Sequence, residues 1–194
     1  MSDLLALHVI VASTRQERKG PLVAAWFMKQ VAAHAGYRVE LIDLAAVNLP
    51  MLDEPRHPRF RQYEHEHTKA WSATIDRADC FVFVTPEYNF SAPPSLLNAL
   101  DYLSQEWAYK PVGFVSYGGV SGGTRSVQML KQTATALKMM PMMEMVAIPF
   151  FNQYINKETG IFDPGSVQDA PAQGLLKELA RWARALKPMR ERAS

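Results

Sequence analysis

The residues able to do chemistry in this chain collect at three stretches, each directly after an apolar run. Ser13-Thr14-Arg15-Gln16-Glu17-Arg18-Lys19-Gly20 combines hydroxyls with cations. If a helix begins at its end, free N–H groups and the helix dipole face the loop, while Arg15, Arg18 or Lys19 could add charge-assisted contacts to an anion and Ser13 or Thr14 a hydroxyl. The stretch matches neither GxGxxG nor GxxxxGK[ST], so it carries no fingerprint for a dinucleotide fold or a P-loop. Pro86-Glu87-Tyr88-Asn89 is polar and aromatic, unusual so close to a core strand. Tyr117-Gly118-Gly119-Val120-Ser121-Gly122-Gly123 permits positive φ and a close backbone approach to a flat ligand. An anion cradle beside two flat-walled loops suits a phosphorylated planar cofactor. The plainer alternative is that the basic residues are solvated and that Pro and Asn merely punctuate a turn.

Alternating elements must position these loops. Leu7–Ala12 reads as a buried strand, and Pro21 opens a helix with Leu22, Trp26 and Val31 on its apolar side, Pro costing little at an early helical position. Tyr37–Leu44 is a second strand, with Asp43 near its carboxyl end. Thr68–Ala78 is a helix whose Trp71 and Ile75 share a face. A strand then begins at Cys80 and ends on Thr85, followed by a helix over Pro93–Ser104. Val112–Ser116 is the fourth strand. A helix over Thr124–Leu137 follows, with Thr124 as its candidate cap. The Met139–Met145 run reads as core or subunit packing, and Val146–Phe151 as the last strand. After a polar connection over Asn152–Ala170, Gln173–Leu186 is an amphipathic helix with Leu175, Leu176, Leu179, Trp182 and Leu186 on its apolar face. Residues 1–187 form one domain, and 188–194 a frayed tail. Five strands alternating with helices predict a three-layer α/β fold with right-handed crossovers. Ligands of such sheets bind beyond the carboxyl ends of the strands, where all three loops lie.

Composition narrows the class. The chain has 194 residues, 48% of them apolar and 21% charged, with 21 Lys and Arg against 19 Asp and Glu. This is the profile of a globular protein with a full core. The basic residues are scattered outside the 56–69 region and the tail, so no nucleic-acid stripe is present. The single Cys80 reads as a buried thiol in a reducing compartment. There is no signal-peptide pattern and no apolar run of 18 residues, so a cytoplasmic protein without membrane insertion is expected. Asn48–His67 is a long irregular connection near the same sheet edge, a candidate access rim or subunit contact. Its His57, His65 and His67 invite a metal hypothesis, but their spacing favours solvation or local hydrogen bonds.

The stretches VASTRQERKG with the following Pro-x-Val-Ala-x-Trp, FVFVTPEYNFSAPPSLLNALDYL, and YGGVSGGTRS together resemble the NADPH-dependent FMN reductase family, over about residues 7–150. That family is flavodoxin-like and includes quinone, azo-dye and chromate reductases. The resemblance implies a five-stranded parallel sheet of order 2-1-3-4-5 and a homodimer or a pair of dimers. It implies FMN as cofactor, with Ser13, Arg15 and Arg18 at the phosphate. Pro86, Glu87, Tyr88 and Asn89 would border the ring, and Ser116, Tyr117, Gly118, Gly119 and Gly122 would form the second ring loop. Arg125 would support that loop or the neighbouring subunit. Two features depart from the family pattern. Pro93-Pro94-Ser95-Leu96-Leu97 stands where relatives often carry Gly after the first Pro and Lys before the Asn, and Tyr117 occupies a position often small.

The implied reaction is hydride transfer from NADPH or NADH to the flavin, followed by reduction of a quinone, flavin or azo acceptor. The cofactor carries that chemistry, so no catalytic side chain and no metal are expected, and the protein's task is orientation. Arg56, Arg59, Arg61 and Lys69 could provide an electropositive rim for NADPH. Two other uses of the same features stand beside this one: a non-enzymatic flavodoxin-like electron carrier, and an interaction protein controlled by flavin state.

Overall fold

A computed structural model describes residues 4–191. Five parallel strands, β1 (Leu5–Val11), β2 (Tyr37–Asp43), β3 (Cys80–Pro86), β4 (Pro111–Tyr117) and β5 (Met140–Ile148), form one sheet of order β2-β1-β3-β4-β5. The helices are α1 (Gly20–Ala32), α2 (Leu44–Val47), α3 (Glu66–Asp76), α4 (Pro94–Asp101), α5 (Thr124–Ala136) and α6 (Ser166–Glu191). The predicted α/β class and strand order are therefore observed.

Period-two alternation along the strands divides the interior into two cores. Leu7, Val9 and Val11 of β1, with Cys80, Val82 and Val84 of β3, face α1 and α6. Ile10, Phe81, Phe83 and Phe114 point the other way, toward Trp71, Leu96, Leu100 and Trp107. The indole N–H groups of Trp71 and Trp107 donate to the carbonyls of Ala99 and Leu100, at 2.9 and 3.2 Å, so these large side chains are buried with their polar atoms satisfied. Cys80 is fully buried in the first core, and burial pushes its thiol well above the ordinary range.

Several boundaries differ from expectation. The last strand starts at Met140 rather than Val146 and ends at Ile148, because pairing begins at Pro111 with Met140 and Pro149 interrupts the chain. The methionines are not among the residue types enriched in strands, and the segment is a strand through its pairing with β4. Met142 is buried in the core while Met143 is 84% exposed. The final helix begins seven residues earlier than Gln173 and continues to Glu191, so 188–191 are helical rather than frayed; 192–194 lie outside the described residues. Arg190 fastens that end to the Asp79 carboxylate at 2.7 Å. Its buried stripe runs through Ala172, Leu175, Leu176, Leu179, Ala180 and Ala183. Trp182 sits about 90° round the helix from the centre of that stripe and is exposed, contrary to the sequence reading. No helix among the described residues is long and apolar enough to cross a membrane.

His8 gives the fold a pH dependence. It is 3% exposed in the middle of the sheet, with Nε2 3.2 Å from Glu40 and Nδ1 without a partner. Burial lowers its pKa from 6.5 to about 4; Glu40 opposes the change, while Arg77, Lys110 and Arg38 reinforce it. Below pH 6.5 the unfolded chain takes up a proton that the folded chain refuses. Stability should therefore fall by roughly 2 kcal/mol between pH 6.5 and 5. Urea melts across that range should show the slope in the parent and its loss in His8→Leu.

Candidate functional site

The 13–20 loop leaves β1 and enters α1. Among the described residues the backbone N–H groups of Ser13, Thr14, Arg15, Gln16 and Glu17 donate to no protein acceptor, and Glu17 turns the chain at φ 53°. Gly20 permits the tight re-entry: a Cβ there would stand 2.3 Å from Ser13 Oγ and 2.9 Å from the Tyr117 hydroxyl. Consecutive unpaired donors in a loop leading into a helix are the groups from which an anion cradle is built. The Ser13 hydroxyl lies beneath it, buried, and accepts from the Tyr117 hydroxyl at 3.3 Å. Burial holds Tyr117 neutral by raising its pKa well above the ordinary range.

Arg15 and Arg18 are placed differently. Arg15 is exposed, its guanidinium carbon 5.8 Å from the centre of the Tyr88 ring. Arg18 is drawn in: Nη1 donates to the Ser13 carbonyl at 2.8 Å and to Asp43 Oδ1 at 2.5 Å, and Nη2 donates to Asp43 Oδ2 at 2.5 Å. This pairing holds the Asp43 carboxyl below its usual range, against the opposing effect of burial. The Nε–H and one Nη2–H remain as a free edge for a ligand. Asp43 also accepts from the Ala45 N–H at 3.0 Å, so one carboxylate caps α2 and orients Arg18.

The other two loops are clamped together by Glu87. Its carboxylate, 7% exposed, accepts from Ser121 Oγ at 2.9 Å, from Arg125 Nε at 2.6 Å and from the Arg125 backbone N–H at 3.2 Å. Burial alone would raise its pKa, but the bonds from Arg125 and Ser121 hold it below the usual range. Glu87 therefore caps α5. The expected cap, Thr124, does not: the N-cap is Gly123 in the left-handed region, with no side chain to offer. Tyr88 and Ser91 exchange backbone hydrogen bonds at 3.0 and 2.9 Å around Asn89 and Phe90, whose φ values of 50° and 68° make a primed two-residue turn. The Arg125 guanidinium lies 3.9 Å from the Phe90 ring centre. Arg125 thus supports both loops.

The glycine loop is fixed from below. Ser116, fully buried, donates to the Gly122 carbonyl at 2.8 Å, and Phe150 and Phe151 donate backbone N–H groups to Gly119 and Gly118. Gly122 and Gly123 turn at φ 59° and 83°. Ser116 and Gly122 consequently shape the loop with their side chain and turn.

Between the loops lies a cleft of about 270 Å³ lined by Arg15, Arg18, Lys19, Pro86, Glu87, Tyr88, Tyr117, Gly118, Gly119 and Phe151. Of the sequence-predicted residues, Ser13, Asn89, Ser116 and Gly122 do not line it. Lys19, a candidate anion contact in the sequence, also lines it, whereas Phe151 and the orienting Asp43 are not among the predicted site residues. Asp43 was visible only as a strand-end carboxylate. Phe151 lies inside a strand expected to run three residues beyond its observed end at Ile148, and its ring packs on Tyr117 at 5.0 Å. A separate hollow of about 290 Å³, lined by Thr14, Asn48, Ser95 and Asn98 among others, contains no charged side chain.

The Asn48–His67 connection is tied down rather than loose. Asn98 bonds Leu52 N–H and the Pro50 carbonyl, Tyr102 donates to Asp53 at 2.9 Å, and the buried Glu106 accepts from Tyr63 at 2.8 Å. His65 and His67 stack and bond to Asp53. Arg61 pairs with Asp76 and Glu106, Arg56 approaches Glu64, and Lys69 pairs with Glu66. Three of the four candidate rim cations are thus engaged by carboxylates, while Arg59 lies over the Phe60 ring at 4.6 Å and enters no ion pair among the described residues.

Strand order β2-β1-β3-β4-β5, with a three-loop cleft at the carboxyl ends, defines a flavodoxin-like protein. Within that class the chain belongs to the NADPH-dependent FMN reductase family, whose sequence profile matches residues 5–153. An NAD(P)H-dependent FMN reductase of Schizosaccharomyces pombe is 43% identical over 145 residues, 73% of this chain and 72% of that protein. A quinone reductase of Pseudomonas putida is 28% identical over 195 residues, 95% of this chain and 97% of that one. Among solved structures, the flavoenzyme NAD(P)H:(acceptor) oxidoreductase FerB from Paracoccus denitrificans superposes with a TM-score of 0.71 at 21% identity, covering 94% of this chain and 98% of that chain, a likeness of fold.

Proposed function

We propose that this protein is an NAD(P)H-dependent FMN oxidoreductase acting on quinone, flavin or azo acceptors. The observation that carries the proposal is the junction of an unpaired N–H cradle, flanked by Arg15, Arg18 and Lys19, with a cleft walled by Tyr88 and Gly118-Gly119. These residues fit FMN: the cradle and the free edge of Arg18 would take the phosphate, and the Tyr88 and glycine loops would hold the flat ring. A Cβ at Gly119 would meet nothing within 4 Å, so that wall is open to a ligand. When bound, FMN would accept a hydride from NADPH or NADH and pass reducing equivalents to the acceptor. The chain's own contribution is to bind, orient and limit access. Glu87 serves as the fastener of the two ring loops, and no side chain is assigned a proton. A cytoplasmic homodimer, or a pair of dimers, completes the reading.

The test is a visible spectrum. Added FMN should bind, bleach with NADPH or NADH, and recover through many turnovers when menadione is supplied. Arg15→Ala should weaken FMN about tenfold, the value of one exposed charge-assisted contact, and leave riboflavin affinity at the parent level. A bound flavin that takes electrons from a protein partner alone would instead identify an electron carrier.

A further inference from the structure

A second cleft, of about 840 Å³, meets the first at Tyr88 and shares Arg15 and Glu87 with it. One wall is the 48–67 segment, which presents Met51 and Leu52 at 78% and 42% exposure. Exposed apolar side chains on a loose loop would mean little, but this loop is fixed. Asn98 Oδ1 accepts from Leu52 N–H at 2.9 Å and its Nδ2 donates to the Pro50 carbonyl at 2.7 Å, while Tyr102 donates to Asp53. Both anchors belong to the α4 segment that follows the Tyr88 turn. The apolar pair is thereby held in the lining of the cleft that Tyr88 and Leu97 also line.

The polar lining is equally specific. Asn89 and Ser91 line the cleft, and among the described residues their side chains make no hydrogen bond, leaving donors for a carbonyl oxygen. Glu87 is neutralised by Arg125, and Arg15 stands at the end shared with the anion cradle. Asp101 also lines the cleft and enters no ion pair among the described residues. Arg15, the other unpaired charge of this lining, is committed to the cofactor phosphate in the proposed reading, which leaves Asp101 as the charge an acceptor would meet.

We infer that the second cleft is the acceptor site, in which the anchored Met51-Leu52 wall takes a neutral planar carbonyl compound and Asp101 turns anionic ones away. An apolar wall with a few placed donors is the usual build of a small-molecule pocket, and the volume lies in the usual range. Continuity with the cofactor cleft makes the occupant a second substrate. This assignment rests on the oxidoreductase reading.

The experiment is equilibrium dialysis of the flavin-loaded protein against menadione and 1,4-naphthoquinone-2-sulfonate, which differ at one substituent. The parent should bind menadione more tightly. Leu52→Asn should weaken menadione about fivefold, as expected for loss of a partly buried apolar contact. Asp101→Asn should tighten the sulfonate at least threefold and change menadione less than twofold. Both residues are exposed, so the variants should keep the parent melting temperature. An unchanged sulfonate-to-menadione ratio in Asp101→Asn would overturn the charge assignment, and unchanged menadione binding in Leu52→Asn the wall. A fall in solution mass of Leu52→Asn with menadione binding intact would make the wall a contact between copies and also overturn the inference. If NADPH fails to bleach the flavin while the dialysis results hold, the oxidoreductase reading fails alone and the cleft stands as a binding site.

Discussion

Gly123→Ala should destabilise the protein by about 2–5 kcal/mol, the sum of a left-handed backbone penalty and an overpacking penalty. Gly123 sits at φ 83°, where an L side chain is strained. A Cβ there would lie 2.9 Å from Ser116 Cβ, 2.9 Å from the Tyr117 nitrogen and 3.0 Å from the Tyr117 oxygen. Two of those atoms are backbone at the end of a central strand and cannot rotate away. The damage should spread to the cleft, since Tyr117 and the Gly118-Gly119 wall start at the same point. Urea denaturation measures the stability, and flavin fluorescence quenching the binding. Gly119→Ala is the control: its Cβ would meet nothing within 4 Å, so stability should change by less than about 1 kcal/mol. Equal losses in the two variants would refute the packing explanation.

Arg18→Ala should weaken FMN on the order of 100-fold, more than Arg15→Ala. Arg15 is solvated, and its loss removes one exposed cation. Removing Arg18 deletes the free Nε edge, releases the Ser13 carbonyl and leaves the Asp43 carboxylate, which had been bound through both oxygens, facing the anion cradle. Loss of a charge-assisted bond costs about 1.5–3 kcal/mol, and the exposed carboxylate adds repulsion toward a phosphate. Riboflavin, which lacks the phosphate, should be nearly unaffected. The double variant Arg18→Ala, Asp43→Asn should recover part of the loss, because the repulsion goes while the missing contact stays missing. Equal affinity of Arg18→Ala and the parent for FMN would remove Arg18 from the site. No recovery in the double variant would remove Asp43's electrostatic part in it.

What was legible in the chain follows from range. The strands could be read because their apolar residues alternate or run continuously, and the loops because Gly, Pro and clustered cations act within a few residues of themselves. The family resemblance lies in those same short stretches. The misreadings have local causes too. Methionine and proline carry little strand signal, so β5 was placed too late and its end absorbed Phe151. Trp182 matched a helical period that the helix does not bury. The 48–67 segment looks like an irregular tract because its order comes from Asn98, Tyr102 and Glu106, all distant in sequence.

By itself, the sequence determined the α/β class, the three loops and their chemistry: cations and hydroxyls after β1, an aromatic polar turn after β3, glycines after β4. Those are properties of residue type and short spacing. Only the tertiary structure decided what each side chain is committed to. Glu87, which in sequence borders the ring site, is bound across 38 residues to Arg125 as the fastener between loops, and Arg18 is held across 25 residues by Asp43. Such pairings depend on which strand ends lie side by side in the sheet. The order β2-β1-β3-β4-β5 brings Asp43 beside the first loop and the third beside the second, and so turns three separate stretches into one cleft.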